Sequence, residues 1–171
     1  MPTLAAREDE VLLLDLLNST PVVDGAQRDL LAADGEPREW ARARGGVGSS
    51  AEIAQLRRVR DRLQAVVRGA ESPDALTPFL AGVHLAAEIG DDGLRWTLDA
   101  ADEARLPARA LLAWGQVQET LPGRLRACAN DECRLFLLDR SKPNNARWCS
   151  MKTCGNRLKA RRHYERTRRT D

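Results

Sequence analysis

The chain has 171 residues, 43% of them hydrophobic and 30% charged, and its formal net charge is +2. This length accommodates one ordinary domain and a small additional module. No apolar run approaches the roughly 20 residues of a membrane-spanning helix, which excludes membrane proteins of that class. The short apolar run at residues 11–17 follows acidic residues, where a secretory signal carries positive charge. We therefore expect a cytoplasmic protein.

This apolar run is the first predicted element. Residues 11–17 are apolar nearly all round, so we expect them to be buried whether they form a helix or a strand. The sequence Asn-Ser-Thr-Pro at residues 18–21 ends the element. A short helix should follow, with Asp34 as its cap and Pro37 in its first turn, and should extend to about Arg44.

Longer helices are predicted next. Ser49 and Glu52 have the spacing of a capping box, and apolar residues recur behind them at helical spacing as far as about Arg68. The sequence Ser-Pro-Asp at residues 72–74 begins another short helix. Residues 102–119 form the last helix of this part of the chain, which ends before a Pro-Gly pair.

Between these helices the hydrophobic period changes to that of a β-hairpin. Residues 83–89 and 94–98 have the composition of two strands, and Gly-Asp-Asp-Gly at residues 90–93 predicts a four-residue turn between them. The predicted fold class is therefore α+β, with a mainly helical N-terminal body that contains one β-hairpin.

The net charge conceals a division of the chain. Residues 124–171 contain 14 Lys and Arg against 5 Asp and Glu, a balance of +9, which leaves −7 for the remainder. We expect an acidic, mostly helical domain at residues 1–122 and a basic module at residues 123–171. A segment this basic favours a polyanionic partner, most often nucleic acid.

All four cysteines lie in the basic segment, as two pairs: Cys128, Cys133, Cys149 and Cys154. Four residues separate the members of each pair and fifteen separate the pairs, a pattern that can place four thiolates around one tetrahedral Zn²⁺. The alternatives are two disulfides, disfavoured by the absence of an export signal, or unrelated reduced thiols. Four thiolates leave no open coordination position, so the expected zinc is structural.

The segment between the cysteine pairs predicts a treble-clef-like arrangement. Residues 134–138 should form a strand, residues 139–145 a turn and residues 146–148 a return strand, with a basic helix starting near Cys154. The module has few large apolar side chains of its own, namely Phe136, Leu138 and Trp148. We therefore expect the metal to supply on the order of 10 kcal/mol of its folding free energy.

The last residues of the chain are a basic run, which we interpret as a helix or arm that lies against phosphates. The candidates for these contacts are Arg157, Lys159, Arg161, Arg162, Arg166, Arg168 and Arg169, together with Arg147 and Lys152 beside the second cysteine pair. The alternative is a solvated basic end without a partner.

Residues 125–168 combine the four cysteines with further characteristic residues: Phe136, Asp139, Ser141, residues 147–151 (Arg-Trp-Cys-Ser-Met, which include Cys149), residues 154–157 (Cys-Gly-Asn-Arg) and Lys159. This combination resembles the CGNR zinc finger of bacterial proteins. The N-terminal part is similar to the ABATE domain that accompanies this finger, through residues 14–18 (Leu-Asp-Leu-Leu-Asn), residues 29–31 (Asp-Leu-Leu) and Trp40. The resemblance implies zinc binding by the four cysteines and a stress-related transcription regulator that binds DNA.

Four residues near the second cysteine pair have individual expectations. Gly155 should allow a tight turn beside the metal, and Asn156 should hydrogen-bond free backbone groups at the helix start. Arg157 contacts either phosphate or Asp139. Trp148 belongs either to the core of the hairpin, which we favour, or to a base-stacking surface.

We therefore expect a zinc-containing DNA-binding regulator, in which the N-terminal domain senses a ligand or forms a homodimer. One alternative is a protein–protein or RNA-binding module with a structural zinc, whose basic helix docks on an acidic partner or on its own N-terminal domain. Another is a small-molecule binder. The sequence contains no nucleophile elbow, phosphate-binding loop or C-x-x-C pair, so we do not expect an enzyme.

Overall fold

The computed structural model describes residues 7–33, 35–91 and 93–156. Their elements are α1 (Arg7–Leu17), β1 (Val22–Val23), β2 (Ala26–Gln27), α2 (Pro37–Arg42), α3 (Ser50–Val67), a 3₁₀ helix (Pro73–Leu80), β3 (His84–Gly90), β4 (Gly93–Asp99), α4 (Asp102–Thr120), β5 (Leu125–Ala127), β6 (Phe136–Leu138) and a helical turn (Met151–Gly155). The α+β class is confirmed: three helices, α1, α3 and α4, pack together, and the strands form small antiparallel hairpins.

Helix α1 buries one face rather than its whole circumference. Leu12, Leu13 and Leu16 are almost completely buried against the other helices, whereas Val11 is 55% exposed. The expectation that residues 11–17 are buried throughout is therefore wrong at Val11. Because successive helical residues are rotated by about 100°, a run of apolar residues cannot direct every side chain towards one core.

Helix α2 begins at Pro37, as predicted, but is shorter than expected. It ends at Arg42, and its cap position is Glu36. The predicted cap, Asp34, lies outside the described residues. Ser49 caps α3, because its side chain accepts a hydrogen bond from the backbone N–H of Glu52 at 3.1 Å.

The long β-hairpin is confirmed, but its turn is tighter than predicted. Gly90 pairs with Gly93, so two residues rather than four connect β3 to β4. A second hairpin, β1–β2, was not predicted, although its turn residues Asp24 and Gly25 are the typical pair for a two-residue turn. Both have positive φ values, 51° and 80°, as such a turn requires.

The hairpin of the cysteine segment uses other strands than predicted. β6 pairs with β5, in the register Leu125↔Leu138 and Ala127↔Phe136, whereas residues 146–148 form no strand. The predicted return strand is therefore wrong. The hairpin encloses the first cysteine pair, and residues 146–148 instead pass beside it, where the Ala129 N–H donates to the Arg147 carbonyl at 2.8 Å.

The hydrophobic core extends into the cysteine segment. Leu125 is 7% exposed and Phe136 is 2% exposed, and both belong to the same cluster as the leucines of α1, α3 and α4. Phe136, which we expected to belong to a small core of its own, therefore packs against the helical body. The cysteine segment consequently has a fixed position on that body.

Candidate metal centre

The four cysteine sulfurs meet at one point. All four Sγ atoms lie within 4.8 Å of one another, and the Sγ of Cys149 is 3.7 Å from those of Cys133 and Cys154. Four sulfurs at 2.3 Å from a tetrahedral zinc are about 3.8 Å apart, whereas the sulfurs of a disulfide are about 2 Å apart. The separations therefore fit zinc, and all four cysteines are free.

Two tight loops bring these sulfurs together. In the first, between β5 and β6, the backbone N–H of Cys133 donates to the carbonyl of Asn130 at 2.8 Å. In the second, the Ser150 side chain caps the helical turn Met151–Gly155 by accepting a hydrogen bond from the Thr153 N–H at 3.3 Å. This helical turn begins at Met151, three residues before Cys154, close to the predicted start of the basic helix, whose remaining residues lie outside the described residues.

Burial is the largest influence on the pKa values of three of the thiols. It raises the pKa of Cys133 to about 11 and also raises the pKa of Cys149, whose neighbouring thiols act in the same direction. Burial opposes ionisation of Cys154 as well, but hydrogen bonds from Asn130 and the other thiols outweigh it and lower its pKa. A divalent cation lowers the repulsion between four adjacent thiolates and favours their ionised forms, and zinc binding is therefore coupled to proton release.

Hydrogen-bond donors directed at the sulfurs support the same conclusion. The side-chain amide of Asn130 lies 3.6 Å from the Sγ of Cys154, and the backbone N–H of Cys149 lies 3.5 Å from the Sγ of Cys128. Donors in these positions stabilise thiolates and orient them toward a metal. The cluster is one structural zinc site, in which the four thiolates would fill the tetrahedral shell.

Asn130 is a functional residue that the sequence analysis did not identify. Its side chain is buried, at 3% exposure, and its Oδ1 accepts a hydrogen bond from the Glu132 N–H at 3.3 Å while its amide faces Cys154. Its position two residues after Cys128 was the available signal, since an Asn inside a metal-binding loop commonly hydrogen-bonds nearby backbone groups.

Asp139 holds the loop that leads to the second cysteine pair. Its carboxylate accepts hydrogen bonds from the N–H groups of Ser141 and Ala146 at 2.8 and 2.7 Å. It also forms an ion pair with Arg126 at 3.1 Å. Hydrogen bonds from Ser141 and Ala146, helped by Arg126, lower the pKa of Asp139. The alternative partner that we considered, Arg157, lies outside the described residues.

The other individual expectations have mixed outcomes. Gly155 is needed for close packing rather than for a tight turn, because a Cβ there would lie 2.9 Å from the Met151 sulfur and 3.2 Å from a Trp148 ring carbon. Asn156 donates to the Lys152 carbonyl at 3.4 Å, as expected for a backbone contact. Trp148 is half-buried beside Gly155 and is not part of the β5–β6 hairpin.

Comparison with known families identifies both parts of the chain. A family model described as "Putative stress-induced transcription regulator" (ABATE) matches residues 10–131, and the model of the CGNR zinc finger matches residues 124–167. The chain belongs to the ABATE family. A search of the curated proteins finds no match. The two family matches overlap at residues 124–131, where β5 leads from the ABATE part into the finger.

The turn that follows helix α1 in the ABATE part contacts the finger directly through Asn18. The side-chain Oδ1 of Asn18 accepts the backbone N–H of Phe136 at 2.7 Å, and its Nδ2 donates to the carbonyl of the same residue at 3.2 Å. Asn18 therefore satisfies both backbone groups of the first residue of β6.

Two charged contacts add to this attachment. The guanidinium of Arg68 lies 4.3 Å from the centre of the Phe136 ring and donates to the Arg134 carbonyl at 2.8 Å. Arg140 of the finger forms an ion pair with Glu10 of α1. The finger of this ABATE protein is thus held on the helical body by backbone, ring and charge contacts.

The candidate phosphate-binding residues divide into two groups. Arg147 and Lys152 are exposed on the finger, and neither forms an ion pair with another described residue. The rest lie outside the described residues: Arg157, Lys159, Arg161, Arg162, Arg166, Arg168 and Arg169. In the part of the chain that the structure describes, no helix has the length and apolar character to cross a membrane.

Proposed function

We propose that this ABATE-family protein is a DNA-binding transcription regulator that contacts DNA through its CGNR finger. The observation that carries the proposal is the attachment of the described part of the finger to the helical body, with Arg147 and Lys152 exposed beside the zinc site. Residues 124–156 of this part contain 7 Lys and Arg against 3 Asp and Glu. A rigid basic surface can be presented to the regularly spaced phosphates of a duplex at low entropic cost.

The zinc in this proposal orients the basic surface and performs no chemistry. Four thiolates complete its coordination, so we propose no catalytic activity. Arg147 lies two residues before Cys149, and Lys152 lies within the helical turn that carries Cys154, so both basic residues are close in sequence to zinc ligands. Arg157, Lys159, Arg161, Arg162, Arg166, Arg168 and Arg169 extend the proposed contact along the sequence.

The N-terminal domain in this proposal comprises residues 1–122, lies in the cytoplasm, and senses a ligand or forms a homodimer. Two open depressions flank Arg44 on its surface, with volumes of about 620 and 580 Å³, within the range of small-molecule sites. The first includes Arg28 and Trp40, and the second includes Val11 and Arg109. A thermal-shift screen of metabolites tests the ligand role.

The salt dependence of DNA affinity is the direct test. Six to ten phosphate contacts should lower the affinity by about 10³–10⁵ between 50 and 200 mM salt. Replacing both Arg147 and Lys152 by alanine should reduce the slope of log affinity against log salt by about 2, because each phosphate contact contributes about 0.9. The zinc content should not change. An affinity that is independent of salt would refute the proposal.

A matched control uses two exposed arginines of α3, Arg57 and Arg58. Their replacement by alanine removes the same charge from the helical body, and we expect an unchanged salt slope. If the control reduced the salt slope by the same amount, total charge rather than the position of the finger would determine DNA binding. Selection from a random duplex library, with an RNA library in parallel, then distinguishes sequence-specific DNA binding from RNA binding.

The second candidate function is a protein–protein module whose basic residues dock on acidic surfaces. The specific observation in its favour is the Arg140–Glu10 ion pair, through which the finger already contacts the acidic body. Deleting residues 157–171 separates the two candidates, because a docked segment stabilises the body, whereas a DNA-binding arm leaves its thermal stability unchanged.

A further inference from the structure

The β3–β4 hairpin has one fully apolar face and one polar face. Residues paired across the hairpin share a face, and the pairs Leu85↔Leu98, Ala87↔Trp96 and Ile89↔Leu94 alternate with pairs that contain the charged residues. The opposite face carries Glu88 and Arg95 as a cross-strand pair, with the Thr97 hydroxyl donating to Glu88. The alternation is what a hairpin covered on one side requires.

The apolar face is nevertheless exposed. Leu85 is 37%, Trp96 40%, Leu94 61% and Ile89 82% exposed, and these four residues are among eleven exposed large hydrophobic residues in the described chain. If the range of about 150–250 Å² for an aromatic side chain is taken as the scale for these four residues, their exposed fractions leave roughly 400 Å² in contact with water. That area equals the largest apolar patch of a typical monomer, which is often functional.

Among the described residues, no other helix or strand makes extensive contact with the hairpin. The extensive contacts of β3 and β4 are with each other, and half-buried residues occur where β4 approaches its end, at Thr97 and Leu98. An isolated two-stranded hairpin is marginally stable in water, and it gains stability from a further layer packed on its apolar face.

We propose that a second copy of this chain covers this face, so that two hairpins pack face to face about a two-fold axis near the Ala87↔Trp96 pair. In this arrangement the tip residues Ile89 and Leu94 of one copy lie over the base residues Leu85 and Leu98 of the other. Such an interface is isologous, with strands aligned as in a small sandwich. The inference deepens the dimerising role proposed above for the N-terminal domain, and does not depend on DNA contact.

Charge favours a second copy over other occupants. The face carries no charged side chain, so its complement is another uncharged apolar face, which the same surface of a second copy supplies. All charges of the two strands lie on the outer face, and a two-fold arrangement therefore opposes no like charges. Residues 157–171 of the same chain contain seven Lys and Arg and few apolar residues, and are a poor complement.

The available area places the proposed interface among the small, weak ones. Two such faces bury about 800 Å² through the four large residues, and the remaining side chains bring the total to roughly 1,000 Å², the lower limit of specific interfaces. We therefore expect a dimer with a dissociation constant in the micromolar range.

The experiment is sedimentation equilibrium of the full zinc-loaded chain, without DNA and with a thiol reductant, from about 1 to about 200 µM. We expect a monomer–dimer equilibrium in this range. The double variant Ile89→Lys with Leu94→Lys should weaken dimerisation at least tenfold. The matched control Ala86→Lys adds positive charge to the polar face of the same strand and should dimerise like the wild type.

Three results would overturn the inference: a wild type that stays monomeric up to about 200 µM, a dimer that the double variant leaves unchanged, or equal weakening by the control. Amide hydrogen exchange provides a measurement that needs no variant. Protection of the β3 and β4 amides should increase with protein concentration, and protection independent of concentration would indicate an intramolecular cover instead. Because no DNA is present, each of these failures leaves the proposed DNA contact untouched.

Discussion

Replacing Asn18 with alanine should lower the free energy of unfolding of the zinc-loaded protein by about 2–4 kcal/mol. The Asn18 side chain makes two hydrogen bonds with the backbone of Phe136, at 2.7 Å to the N–H and 3.2 Å to the carbonyl. Alanine removes both and leaves the two backbone groups of a buried residue without these partners, each at a cost of about 1–3 kcal/mol. Water that reaches the two backbone groups in the variant reduces the combined cost to the expected range.

The variant Asn18→Asp tests the donor separately. It keeps an acceptor for the Phe136 N–H but places a carboxylate oxygen opposite the Phe136 carbonyl, where only the protonated acid can donate. The pKa of the introduced carboxyl group should therefore be raised in the folded state. A raised pKa contributes stability that is present in acid and is lost as the pH rises through it. We therefore expect the loss in free energy of unfolding, relative to the wild type, to be smaller near pH 4 than near pH 7.

Urea unfolding with excess zinc, followed by circular dichroism, measures these differences. The matched control is Asn145→Ala, because Asn145 is exposed in the loop between the cysteine pairs, and its change should stay within about 0.5 kcal/mol. If Asn18→Ala changed the free energy of unfolding as little as this control does, the contact would not hold the finger on the helical body. An Asn18→Asp deficit that does not depend on pH would contradict the assignment of Nδ2 as donor to the carbonyl.

Three further predictions concern the zinc site and the helical body. Asn130→Ala should weaken zinc binding about 10–100-fold in chelator competition, whereas Asn156→Ala should not; equal effects would contradict the role of Asn130 at the Cys154 sulfur. Chelation should release one zinc per chain and remove finger stability on the order of 10 kcal/mol, and calorimetry of apo and loaded protein checks this. Burial opposes ionisation of Asp29, but hydrogen bonds from Arg60 outweigh it and lower its pKa, so Asp29 stabilises the fold above its ordinary pKa and loses this effect in acid. Asp29→Asn should therefore cost about 1–3 kcal/mol near pH 7 and less as the pH falls below about 4, and a constant deficit would contradict the ion pair.

The helical framework could be predicted because its signals are local. The cap at Ser49 and the apolar period behind it specify α3, and the Pro-Gly pair after α4 marks its end within a residue or two. The zinc cluster could be predicted for the same reason, since ligand type and spacing alone restrict what four cysteines can do. The Asp-Gly turn of β1–β2 carried an equally local signal that the sequence analysis did not use.

Other features could not be predicted because they depend on which surfaces meet. β6 was expected to pair with residues 146–148, but it pairs with β5, since the Asp139 hydrogen bonds close a loop that directs residues 146–148 past the first cysteine pair. The exposure of Val11 follows from its position on the face of α1 that points away from the core, and the burial of Phe136 follows from the packing of the finger against the helical body.

The sequence by itself determined the helices, the long hairpin, the cysteine set and the division of charge, because caps, periodicity, turn residues and ligand chemistry act over a few residues. Tertiary structure decided that Asn18 hydrogen-bonds the finger, that Asn130 faces a cysteine sulfur and that the apolar face of β3–β4 is left uncovered. Asn18 and Phe136 are 118 positions apart in the chain, and such contacts form only when distant elements pack against a common core.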